Sequence, residues 1–133
     1  MIHLDTSFLI DLQREAHSGP GPAHAFLEEH AADQLALSVH VLCELEAGVQ
    51  LALHPDRERA RLGALVADIS VVYPDERFAG MYGRTFAALE ARGKRIPVMD
   101  LLIAVAALLH RAALVTRNPR HFAAVPDLEV VGY

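Results

Sequence analysis

The acidic residues of this chain that could do chemistry are Asp5, Glu44, Glu46 and Asp100. Asp5 ends the apolar start "MIHL" and is followed by two hydroxyl residues, Thr6 and Ser7. Taken alone it reads as a helix cap, its carboxylate accepting the free N–H groups of a first turn. Asp100 opens the apolar run "DLLIAVAALLHR", where a helix dipole favours negative charge, so the same plain reading serves it. Glu44 differs. Its neighbours one helical turn away are His40, Val41, Ala47 and Gly48, with no Lys or Arg to pair with it. Glu46, among Leu42, Cys43, Val49 and Gln50, shares that property, and spacing does not rank the two.

Carboxylates brought together from separate elements repel, so one must take a proton or the group must bind a cation. A donor set made only of oxygen selects a hard ion, Mg²⁺ or Mn²⁺, over zinc. Such an ion positions a phosphodiester, acidifies a water and offsets charge on the leaving oxygen. Other chemistries have less to build on. The single cysteine, Cys43, excludes an internal disulfide and a cysteine-built zinc cluster, and on an apolar helix it reads as a small buried hydrophobe. The eight histidines form no helical pair suited to zinc and read mostly as surface or loop residues.

The net charge of −5 conceals an uneven distribution. Between Arg77 and Arg120 the chain carries +6, which leaves −11 on the rest. A local basic surface can therefore hold a polyanion on an acidic chain.

These residues need a scaffold. A chain of 133 residues with 53% hydrophobic content is expected to form one domain, 1–133, around one sizeable core. Its longest apolar run, "LLIAVAALL", is too short to span a bilayer, and Asp5 and Asp11 interrupt any leader-like start, so a soluble cytoplasmic protein is expected. Helices are predicted at about 7–14, 23–32, 38–53, 57–66, 75–92 and from Asp100 onward, and strands at 34–39, 69–73, 113–116 and 128–133 beside the opening one. "HSGPGPAH" reads as a loop and "RNPRHF" as a turn. Short apolar strands alternating with helices imply an α/β fold with a parallel sheet covered on both faces, its ligand beyond the strands' carboxyl ends. Asp5 and Asn118 both fall just past such ends.

Four segments, "IHLDTSFLIDL", "LSVHVLCELEAGV", "IPVMDLLIAVAAL" and "LVTRNPRHFAAVPDLEVVGY", together resemble the PIN-domain ribonucleases, specifically the VapC-type toxins of bacterial toxin–antitoxin pairs. The resemblance runs through the chain in order, apart from residues 54 to 90. It implies a five-stranded parallel sheet flanked by helices, a homodimer, and Mg²⁺-dependent endoribonuclease activity leaving a 5′-phosphate and a 3′-hydroxyl. It assigns Asp5, Glu44 and Asp100 to the metal, with Ser7 as the hydroxyl beside it. Asn118 would bind a water or phosphate there, and Arg95, Arg117 and Arg120 are expected on the RNA backbone. The partner would be a small cognate antitoxin whose tail lies across the pocket. Where relatives often carry a fourth acid before the late phenylalanine, this chain has His121, which leaves one metal or two open. Two rival readings follow from the residues. A phosphoaspartyl enzyme would need a second Asp where Ser7 stands, and a receiver would need an early acidic pair and a late lysine, both missing. A catalytically silent module that binds RNA or protein is the other.

Overall fold

The alternation of short apolar runs with longer helical ones resolves, in a computed structural model that describes residues 1–133, into five strands and seven helices. In chain order they are β1 (Ile2–Leu4), α1 (Thr6–Ser18), α2 (Pro22–Glu29), β2 (Leu35–Ser38), α3 (Val39–Leu51) and α4 (Pro55–Val66). There follow β3 (Ser70–Val72), α5 (Phe78–Ala91), α6 (Val98–Leu109), β4 (Ala113–Val115), α7 (Pro119–Phe122) and β5 (Val130–Val131). The strands form one parallel sheet in the order β3-β2-β1-β4-β5, as the alternation implies.

β1 lies in the middle, with His3 opposite Ala36 of β2 on one side and Leu114 of β4 on the other. The chain builds outward from β1 to β2 and β3, then returns to place β4 on the opposite flank. The strand order therefore reverses between β1 and β4, and the crevice beyond their carboxyl ends is where an open sheet of this kind binds ligands. Leu4, Phe8, Leu37, Ile103 and Leu114 are fully buried and tie β1, α1, β2, α6 and β4 into one core. α6 is apolar nearly all round, which is why it can lie inside the fold rather than on it.

Several element boundaries differ from the sequence reading, each for a local reason. α1 continues past Arg14 to Ser18, and the Glu15 carboxylate in its last turns accepts the N–H groups of Gly21, Ala23 and His24. It thereby caps α2, whose own N-cap residue, Gly21, has no side chain to do so. α5 starts at Phe78 rather than Asp75, because the Asp75 side chain turns back on the Arg77 N–H and guanidinium. "RNPRHF" holds a short helix, α7, with Pro119 at its first position. Cys43, read as a buried hydrophobe, is exposed: α3 buries Val41, Leu45 and Val49, and Cys43 falls off that stripe. The histidines are mostly at the surface as expected, with the exception of His3, which is 1% exposed.

Candidate functional site

Asp5 occupies the N-cap position of α1 and makes no capping hydrogen bond. Its carboxylate is instead held by two hydroxyls. Ser7 Oγ donates to Asp5 Oδ2 at 2.7 Å, and Thr116 Oγ1, at the end of β4, donates to the same oxygen at 2.7 Å. Ser7 and Thr116 approach to 3.2 Å, and their remaining capacity accepts the backbone N–H groups of Arg117 (3.1 Å) and Asn118 (3.1 Å) respectively. The two strand ends are thus stitched across the crevice through a buried carboxylate, and Oδ1 of Asp5 takes part in none of these bonds.

Asp100, in the first turn of α6, faces the same crevice. Burial raises its proton affinity above the ordinary carboxylate range and the negative charge of Asp5 raises it further, while His121 opposes both. His121 Nδ1 stands 3.7 Å from Asp100 Oδ2. Two carboxylates from α1's entry and α6's start therefore meet with only an imidazole to offset them.

Glu44 and Glu46, equal by spacing, separate in space. Glu46 finds Arg59 of α4 at 3.6 Å. Glu44 turns toward α1 and accepts the Thr6 hydroxyl at 2.5 Å, next along the chain from Asp5. It lines a cleft of about 210 Å³ with Thr6, Ile10, Gln13 and Glu58. Asp5 and Asp100 are thus brought together, whereas Glu44 reaches only Thr6, the neighbour of Asp5 in the chain, and lines a cleft that includes neither aspartate. No three His, Cys, Asp or Glu side chains are gathered tightly enough to hold a metal ion as they stand. The donor chemistry nevertheless fits a hard cation: oxygen only, excess negative charge, and a carboxylate oxygen of Asp5, Oδ1, left without a donor.

The three arginines expected on a substrate behave differently from one another. Arg117 is taken by Asp11: its Nη1 donates to Asp11 Oδ1 at 2.6 Å. Tyr133, the last residue, donates its hydroxyl to Asp11 Oδ2 at 2.9 Å, and burial together with that carboxylate raises its pKa above the ordinary phenol value. Arg117 thus ties the turn after β4 to α1 through Asp11. Arg95 reaches Glu90 at 3.3 Å but is 86% exposed. Arg120 is exposed and lines, with Lys94, Arg95 and His121, a cleft of about 610 Å³ beside Asp100. Asn118 is exposed at the mouth of the crevice.

Thr116 and Tyr133 were not singled out from the sequence, and Thr6 and Asp11 were named there without these partners. Thr116 had a signal, since "LVT" ends β4 as "HLD" ends the β1 segment. Tyr133 and Asp11, 122 residues apart, had none.

The PIN domain family matches residues 2–128. Ribonuclease VapC2 of Rickettsia felis is 31% identical over 94 residues, 71% of this chain and 70% of that protein. Among solved structures, VapBC2 from Rickettsia felis bound to a DNA fragment from its promoter superposes with a TM-score of 0.88 at 28% identity, covering 99% of this chain and 98% of the other. VapBC-5 from Mycobacterium tuberculosis, a member of the VapBC family of toxin-antitoxin systems, gives 0.72 at 30% identity, over 99% and 98%.

Proposed function

This chain belongs to the PIN-domain family, and we propose from that premise that it is a Mg²⁺-dependent endoribonuclease, the toxin of a VapBC-type pair, hydrolysing RNA phosphodiester bonds. The observation that carries the reading is the meeting of Asp5 and Asp100, two partly desolvated carboxylates whose mutual repulsion no lysine or arginine offsets. A hard divalent cation satisfies both at once, with Mn²⁺ as a substitute.

In this reading Asp5 and Asp100 would hold the ion, and Glu44, held by Thr6 beside Asp5, would add negative charge nearby and help orient a water. Ser7 and Thr116 hold Asp5 by their paired donation to Oδ2, which leaves Oδ1 free for a cation it would help to hold. Asn118, exposed at the crevice mouth, hydrogen-bonds a phosphate oxygen or a water. The cation, when bound, lowers the pKa of water and offsets charge on the leaving oxygen. Arg95 and Arg120 face the RNA backbone. An RNA substrate puts the site of action in the cytoplasm. No helix is long and apolar enough to cross a membrane. The chain pairs with a cognate antitoxin and with a second copy of itself; Phe86 and Val98, 48% and 64% exposed beside a groove between α5 and α6, support a covered apolar face there.

A second reading, an RNA- or protein-binding module without cleavage, is favoured by the absence of a preassembled three-ligand cluster. One experiment separates them. Purified protein is incubated with RNA in Mg²⁺, in EDTA, and as Asp5→Asn. The nuclease reading expects cleavage that EDTA stops and that the substitution lowers at least about 100-fold, since the ion supplies several kcal/mol to the reaction. Equal cleavage by the two proteins at matched Mg²⁺ refutes the assignment of Asp5, and no cleavage at all supports the silent module.

A further inference from the structure

Resting on the nuclease reading, we propose that Asp11 is a positioning residue of the site. By accepting both the Arg117 guanidinium and the Tyr133 hydroxyl, it locks the turn after β4 and, through that turn, the carboxylate of Asp5. Asp11 stands four residues after Ser7 in α1, so the two side chains share one face of the helix. Ser7 Oγ, which donates to Asp5 Oδ2, accepts the Arg117 backbone N–H at 3.1 Å. The side chain of Arg117 then returns to α1, where Nη1 donates to Asp11 Oδ1 at 2.6 Å. Arg117 is therefore pinned at its backbone and at its guanidinium, to points one helical turn apart.

The segment after β4's other neighbour, β5, closes the turn from its far side. The Thr116 N–H donates to Val131 O at 3.0 Å, continuing the pairing of β4 with β5. Gly132 lies against Pro119, where a Cβ would meet Pro119 Cγ at 3.6 Å. Tyr133 then sets its ring edge-on to the buried Phe8, centroids 4.8 Å apart, and donates its hydroxyl to Asp11 Oδ2 at 2.9 Å. Each oxygen of Asp11 thus serves one side of the turn: Oδ1 the arginine within it, Oδ2 the tyrosine behind it. Held between them are Thr116, which donates to Asp5, and Asn118, whose N–H donates to Thr116 Oγ1 at 3.1 Å. The Asp11 side chain is only 18% exposed, so water competes weakly for these bonds.

The competing duty for an arginine beside the crevice is to hold a substrate phosphate, and the two duties make opposite predictions at Asp11. If Arg117 serves the substrate, Asp11 competes with the phosphate for it. Removing the acid then tightens RNA binding and leaves the chemical step alone. If Asp11 locks the turn, removing it loosens the hydroxyls that hold Asp5 and slows the chemical step. A carboxylate repels phosphate, so no lost RNA contact can account for a rate lost at this position.

The test compares the full chain with Asp11→Asn, Tyr133→Phe and, as a control, Arg14→Gln, whose guanidinium also nears Asp11 Oδ1, at 3.4 Å, but lies in α1 and not in the turn. Hydrogen exchange by NMR reads the turn directly. In Asp11→Asn the amides of Arg117 and Asn118 should exchange at least about 10-fold faster, while those of Asp5 and Leu114, bonded within the sheet, keep their wild-type rates. For a labelled oligoribonucleotide in Mg²⁺, kcat should fall about 10-fold in Asp11→Asn with KM unchanged, less in Tyr133→Phe, and not in Arg14→Gln. Added to Thr116→Val, Asp11→Asn should cost less than about 2-fold more, since both act on one carboxylate, whereas a folding defect would multiply. Unchanged exchange at Arg117 and Asn118 overturns the proposal whatever the RNA result. So do losses that multiply, and so does a lower KM at unchanged kcat, which gives Arg117 to the substrate. Faster exchange in a chain whose wild type cleaves nothing overturns the nuclease reading and keeps the lock on the turn.

Discussion

Asp5 is the residue on which the site turns, and its environment explains why an aspartate there is more than a cap. Both hydroxyls that hold it donate to a single oxygen, each a charge-assisted bond of about 1.5–3 kcal/mol. Thr116→Val keeps shape and removes one of them, leaving Ser7 alone to hold the carboxylate. We expect kcat for RNA cleavage to fall about 10- to 100-fold with little change in KM, and Thr116→Ser to restore it; a KM effect alone would deny Thr116 this positioning role. Asp100 gives a second prediction. Because burial and Asp5 raise its pKa, the fold carries a repulsion that a bound divalent cation would relieve. Added Mg²⁺ should raise the melting temperature of the wild type in proportion to log concentration once the site saturates, and Asp100→Asn should lose that rise. Equal shifts in both proteins would show that the ion binds elsewhere.

Elements decide which acids reach the crevice. Asp5 and Asp100 were legible because each stands at a change of pattern, where an apolar strand or helix meets a carboxylate. Glu44 and Glu46 were not separable along the chain, because what distinguishes them is α4: it offers Arg59 to Glu46, and α1 offers Thr6 to Glu44. The Arg117–Asp11 pair was hidden for the same reason, since its acid lies on α1, 106 residues earlier. Exposure of Cys43 was missed because α3 is apolar enough to hide which stripe faces inward. Element ends follow from caps, and Gly93 is the sharpest case. Its φ of +63° is left-handed, so a Cβ there is strained although open space surrounds it. Gly93→Ala should lower stability by about 1 kcal/mol in urea unfolding, the left-handed cost less the gain in unfolded-chain stiffness. Unchanged stability would mean the α5 turn relaxes to another geometry.

On the scale of the whole molecule, the parallel sheet was legible from alternation alone, whereas the consequence of placing β1 at its centre was not. That placement buries His3, the one polar residue inside the opening strand. Burial, with help from His110 and the amino terminus, lowers its pKa to about 4. The contacts agree: His110 Nδ1 lies 3.0 Å from His3 Nε2 and 3.0 Å from Ala106 O, so one N–H is shared between two acceptors and His3 Nε2 carries no proton. In the unfolded chain the same ring titrates near its ordinary 6.5. Between those values the unfolded state takes up a proton that the folded state refuses, so the stabilisation is complete above the unfolded pKa and is lost as pH falls toward the folded one. From about pH 7.5 to about pH 5.5 the free energy of unfolding should drop by roughly 1 kcal/mol from this ring, and by about 3 kcal/mol once the folded pKa is passed. Urea midpoints followed by circular dichroism check it, with His3→Gln as the comparison. The variant should be flatter than the wild type across the upper window, where carboxylates scarcely titrate; parallel curves would mean that His3 is not the group that couples folding to pH.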